Sequence, residues 1–179
     1  QLAGFPSVTP LSPFARSPPE SCSATMKTPE ERMAELGLVL PEVPTPAGNY
    51  LPYRRAGSVL YTAGILSLDA LGEPMTGRVG DEVDTAYAAE AARCCALRLL
   101  AVLKEAAGDL FRVEHLLTLT GFVNAIPAYP DAPVVLNGAS DLLGEVLGEA
   151  GAHARAAVGV AALPKHCTVE IQASAVLRA

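Results

Sequence analysis

Apolar residues recur at the helical period through Val83, Tyr87, Ala91, Cys94, Cys95, Leu99, Val102 and Leu103, a pattern that predicts one long amphipathic helix. Asp81 or Asp84 supplies its N-cap, and Gly108 marks its C-terminus. A second helix is predicted over residues 133–147, with Val135, Leu142, Leu143 and Val146 on one side and Gly148 after it. Near the start, Thr28, Pro29 and Glu31 form a capping box for a short helix that runs to about Leu36 and ends at Gly37. This helix reads as an appendage. Between these segments the period changes to that of strands. Residues 53–55 and 58–63 flank Gly57, residues 113–123 have strand composition, and Gly64, Gly72, Gly77 and Gly80 leave room for only one short strand between them. The last thirty residues hold two further runs, HARAAVGVAALP and TVEIQASAV, separated by turn chemistry at residues 163–167 and therefore read as a β-hairpin. In the final run Val169, Ile171, Ala173, Ala175 and Leu177 form one stripe and Thr168, Glu170, Gln172 and Ser174 the other. The first stripe meets the helices, and the second faces water or the sheets of other subunits, whose close approach Ala161, Ala162, Ala173 and Ala175 would ease. The order β-β-(β)-α-β-α-β-β is an α+β layout with two helices on one face of a mixed sheet.

Composition narrows the setting. With 179 residues, half of them hydrophobic, the chain can bury one sizeable core as a single domain. No apolar run approaches the roughly 18–20 residues that span a bilayer, so no membrane is expected. A net charge of −6 and a pI near 5.0 argue against a dominant phosphate-binding surface, and nucleic acid is not an expected partner. Cys22, Cys94, Cys95 and Cys167 form no C-x-x-C pair and read as core thiols in a reducing compartment. His115, His153 and His166 lack metal-ligand spacing, so no metal is expected. Residues 1–25 are rich in Ser and Pro and lack hydrophobic periodicity. They read as a disordered leader, a transit peptide, or an extension ahead of a start at Met26. Residues 26–48 follow as a helix and extended arm, and residues 49–179 as the main domain. The expected location is cytoplasmic, or organellar if residues 1–25 are a transit peptide.

Two charges interrupt the closing strands: Arg155 and Glu170. A hairpin turning near Lys165 sets Glu170 across from about Ala161, roughly six residues and about 20 Å from Arg155. If the two serve one site, a neighbouring copy of the chain must complete it. In the other reading, Arg155 ends a strand in solvent and Glu170 faces water on an edge.

The frame around these two residues resembles the RidA/YjgF family of imine deaminases, formerly the endoribonuclease L-PSP family, of chorismate mutase-like fold. The resemblance rests on Ala154-Arg155-Ala156-x-Val158-x-x-Ala161-x-Leu163, on Val169-Glu170-Ile171, on Gly48-Asn49-Tyr50, on residues 60–64 (LYTAG) and on Asn137-Gly138. It implies a homotrimer whose sheets wall a barrel, with three clefts between subunits. It implies Arg155 as clamp for a substrate carboxylate and Glu170 as the group that positions a water, both catalytic. Tyr50, Ala63, Gly64 and Asn137 would line the pocket, although Tyr50 also fits a structural tyrosine and Asn137 a polar residue on a helix surface. The implied reaction is hydrolysis of small 2-imino acids to 2-oxo acids and ammonia without a cofactor. The sequence departs from common family members at His153, Ala63 and Ala157, where Pro or Ala, Ser and Cys respectively are frequent. Three other functions compete: a noncatalytic trimer that binds carboxylate metabolites, an endoribonuclease, and a chorismate mutase. Acidic charge and the absence of a usable histidine pair weigh against the ribonuclease. The mutase would need several converging cations, of which the matched segments provide one.

Overall fold

A computed structural model describes residues 27–43, 45–46 and 48–178. The leader at residues 1–25 lies outside the described residues. Helix α1 (Pro29–Glu35) starts as its sequence dictates: Glu31 N–H donates to Thr28 Oγ1 at 3.2 Å while Thr28 N–H donates to Glu31 Oε2 at 2.7 Å. It is not an appendage. Met33 belongs to the hydrophobic core, Glu30 Oε1 accepts from the Leu110 amide, and Arg32 Nη1 donates to the Val146 carbonyl. The apolar face of α1 is covered because Val146 and Leu110 lie within its reach.

Strands β1 (Tyr53–Ala56), β2 (Val59–Thr62) and β3 (Ile65–Leu66) precede the long helix α2 (Thr85–Ala107). Asp84 caps α2 through the Tyr87 amide, and Gly108 ends it at φ 82°, the left-handed conformation that glycine adopts without strain. Strand β4 (Val113–Asn124), helix α3 (Ala132–Leu147), strand β5 (Ala154–Val160) and strand β6 (Val169–Leu177) complete the fold. Helices α2 and α3 pack together on one face of the sheet. Their axes approach closely at Gly138, where a Cβ would overlap the Ala89 carbonyl.

The sheet order is β1-β2-β6-β4-β5, with β3 also on β6. This overturns the expected hairpin: β5 and β6 do not pair, because β4 lies between them, parallel to β5 and antiparallel to β6. The reason is the β4-α3-β5 crossover, whose helix carries the chain back so that β5 lies parallel alongside β4. The place beside β6 that a hairpin needs is already taken. Residues 161–168 instead pass across the end of β4.

Val169, Ile171, Ala173, Ala175 and Leu177 face the helices and join the core. Along the other stripe, Glu170 is half-buried and Gln172 exposed, but Thr168 and Ser174 are buried, Ser174 through a 2.7 Å hydroxyl contact with Thr118. Among the described residues that side of the sheet is otherwise uncovered. It exposes Tyr61, Ala154, Ala156 and Val158.

Candidate functional site

Strands β2 and β3 run along the same edge of β6 but are out of step. Tyr61 pairs with Ser174 and Ile65 with Ile171, so four residues on one side span three on the other. The extra residue is absorbed at Ala63-Gly64. There Ala63 N–H donates to the Pro52 carbonyl, Thr62 Oγ1 accepts from the Ala173 amide and Gln172 Nε2 donates to the Thr62 carbonyl. The bulge turns the backbone away and leaves a gap beside β6, into which Glu170 lays its carboxylate. A Cβ at position 64 would overlap Glu170 Oε1 and Cδ, so any residue other than glycine there would push the carboxylate out of this position.

Glu170, Gly64, Ala63 and Tyr50 line one cavity of about 350 Å³. Apolar side chains make up much of its wall, including Ile65, Leu66, Leu68 and Val102, and the arm preceding β1 closes one side with Pro46 and Tyr50. Burial raises the Glu170 carboxyl above its ordinary 4.5, and no neighbouring cation contributes to its shift. The result is a carboxylate that binds protons more readily than a solvated one.

Arg155 and Asn137 lie elsewhere. Arg155 pairs in register with Leu119 on the helix side of the sheet, and Glu170 pairs with Phe122 on the opposite face. Two strand spacings and a three-residue offset place their Cα atoms about 14 Å apart. One chain therefore does not bring the two together. The hairpin geometry gave the same conclusion from a strand pairing that does not exist.

The guanidinium is fixed from three directions. Arg155 Nη1 donates to Asn137 Oδ1 at 2.9 Å and to Ser140 Oγ at 3.0 Å, and Nη2 donates to the Pro133 carbonyl at 3.2 Å. Behind Ser140 stands His153, whose Nδ1 lies 2.6 Å from the Gly151 carbonyl and whose Nε2 lies 3.1 Å from Ser140 Oγ. A carbonyl can only accept, so Nδ1 carries a proton, while Nε2 and the Ser140 hydroxyl share the second hydrogen bond. Ser140 and His153 thus hold Arg155 in an exposed position on the edge strand.

Sequence reasoning did not single out Ser140, nor Arg98 and Lys165, which also line the Glu170 cavity. The signal for Arg98 was present: it follows Cys95 by three positions and precedes Val102 by four, a charge set inside an apolar stripe. Ser140 carries no such mark. Cys95 is fully buried, and burial pushes its thiol well above the ordinary range, in keeping with a core thiol. Among the described residues no cluster of His, Cys, Asp and Glu is arranged to hold a metal ion, and no helix is long and apolar enough to cross a membrane.

A mixed sheet with two long helices on one face and a bulged edge over a buried glutamate defines an α+β protein of the chorismate mutase-like class. Residues 30–175 match the family described as "YjgF/chorismate mutase-like, putative endoribonuclease", and the chain belongs to this RidA/YjgF family. It is 42% identical over 142 residues to Protein TCP17 of Trypanosoma cruzi, covering 79% of this chain and 89% of that one. Among solved structures it is similar to protein Atu1372 of Agrobacterium tumefaciens, at 42% identity and TM-score 0.77, covering 84% of this chain and 94% of the other. It is also similar to a protein from Shewanella oneidensis, at 35% identity and TM-score 0.81, covering 84% of this chain and all of the other.

Proposed function

We propose that this protein hydrolyses reactive 2-imino acids to 2-oxo acids and ammonia, at sites formed where one copy presents Arg155 to the Glu170 cavity of the next in a homotrimer. The observation that carries the reading is the Glu170 carboxylate, desolvated and without a cationic partner, laid against Gly64 in an apolar cavity. Such a group is suited to accept a proton from water. Arg155 of a second copy would add, at the Glu170 end of the cavity, a braced guanidinium whose planar fork matches a carboxylate. The uncovered sheet face, with Tyr61, Ala156 and Val158 exposed, offers apolar surface for copies to meet.

In this scheme Arg155 from a second copy holds the substrate carboxylate and sets the imine carbon near Glu170. Glu170 takes a proton from water as the oxygen adds to the C=N carbon, forming a carbinolamine. Glu170 then passes that proton to nitrogen; as the C–N bond breaks and the C=O bond forms, Glu170 takes up the hydroxyl proton and ammonia leaves. One water is consumed for each ammonia released. Positioning contributes most, because a protonated imine is already electrophilic.

The test is release of ammonia and 2-oxo acid from freshly generated 2-iminopropanoate. Turnover above the buffer rate that disappears in Arg155→Ala and Glu170→Gln supports the proposal, and a rate equal to buffer refutes it. Binding of 2-oxo acids without turnover would leave the noncatalytic reading. An endoribonuclease mechanism finds little support here, since none of the three histidines lines the Glu170 cavity.

A further inference from the structure

Resting on the proposed function, we infer that the Glu170 cavity selects 2-imino acids whose side chain ends in a second acidic group, and that Arg98 receives it. Arg98 stands on α2, the helix packed against the face of the sheet opposite Glu170, yet both line the same cavity. The cavity therefore runs past the edge strand β3 from one charged end toward the other, with Ile65, Leu66, Leu68 and Val102 along its length. A substrate with its imine at Glu170 points its side chain along this apolar passage.

Arg98 is only 6% exposed. Its Nη2 donates to the Asp69 carbonyl at 2.9 Å and its Nε to the Leu68 carbonyl at 3.4 Å. Carbonyl dipoles satisfy these hydrogens without cancelling the charge. Among the described residues Arg98 has no ion pair: Asp69 turns its carboxylate to the amides of Leu71 and Glu73, and Glu170 owes its shift to burial alone. Nη1 makes no hydrogen bond among the described residues and is not sealed off. A buried guanidinium left uncompensated is costly, and an anion entering the cavity would offset that cost. Lys165, which also lines the cavity, is exposed to water.

Two pairs of product analogues isolate the end group: 2-oxoadipate against 2-oxohexanoate, and 2-oxoglutarate against 2-oxopentanoate. Each pair shares chain length and differs only in the terminal carboxylate. Titration calorimetry on the intact protein is expected to show the dicarboxylate of at least one pair binding roughly tenfold or more tightly. Arg98→Gln is expected to remove that preference while the monocarboxylate still binds, which separates charge recognition from loss of the fold. Equal or tighter binding of both monocarboxylates to the unaltered protein overturns this inference and leaves the proposed function standing. If no 2-oxo acid of either pair binds, this inference falls, and the proposed function is decided by the 2-iminopropanoate assay alone. Should Arg98→Gln not fold, the ratios for the unaltered protein decide the matter.

Discussion

Glu170→Gln separates chemistry from stability, because the same burial that suits the carboxylate to proton transfer works against the folded state. The folded protein holds the Glu170 proton more tightly than the unfolded chain does. The stabilising contribution is therefore present at low pH and is lost as pH rises from the unfolded value of about 4.5 through the raised folded one. At neutral pH the ionised side chain is a burden, and Glu170→Gln is expected to raise Tm in a calorimetric scan while imine turnover falls by about 10²-fold or more. In the unaltered protein, the acid limb of kcat/KM for the proposed reaction is expected above the ordinary glutamate value of 4.5. An acid limb at or below that value would remove Glu170 from the role of base. Arg155 responds to its braces in a different way. Ser140→Ala removes one acceptor from the guanidinium and the His153 contact behind it, so substrate KM is expected to rise about tenfold with kcat little changed. Of these residues, Arg155 and Glu170 were legible because a charge in a strand of apolar neighbours stands out. Ser140 was not, since a serine on a polar helix position looks like any solvated one.

Each element carries its boundaries locally, and those boundaries were readable. Thr28 with Glu31, Asp84 and Gly108 are caps that act within a turn of the helix they delimit, so their meaning does not depend on the rest of the chain. Strand partnership is different in kind. The segment at residues 163–167 has turn chemistry, and it does turn, with Lys165 and His166 both at positive φ. What it joins is decided by β4, a strand forty residues earlier in the chain. No local pattern states that β4 takes the place between β5 and β6. The bulge at Ala63-Gly64 was equally hidden, because it exists only relative to the register of β6. A prediction belongs to the helix pair: Gly138→Val would drive a side chain into the Ala89 carbonyl and force α3 off α2. Chemical denaturation is expected to show a loss of about 1–3 kcal/mol. Unchanged stability would mean that the helices can separate there without cost.

At the scale of the whole molecule, one chain presents the Glu170 carboxylate and the Arg155 guanidinium, the two halves of the proposed site, on opposite faces of its sheet. Mixing inactive Arg155→Ala and Glu170→Gln proteins after dissociation and reassembly is expected to restore about one quarter of the sites, the fraction that random mixing gives when each site draws on two neighbours in a ring. No recovery, with mixed particles confirmed by native mass spectrometry, would show that each chain works alone. Val158→Glu places a charge on the uncovered face where one side chain is 45% exposed. Analytical ultracentrifugation is expected to show smaller particles, and activity is expected to be lost with them, while the core, which Val158 does not enter, keeps its Tm within a few degrees.

If Arg155 and Glu170 act together, the placement of β4 between the strands that carry them reaches beyond geometry. A newly synthesised chain would be inert until it met its own kind, and its rate law would betray this. Below the dissociation constant of the assembly, specific turnover should decline with dilution instead of staying level, so the cell's stock of the polypeptide would itself set how much of it is working.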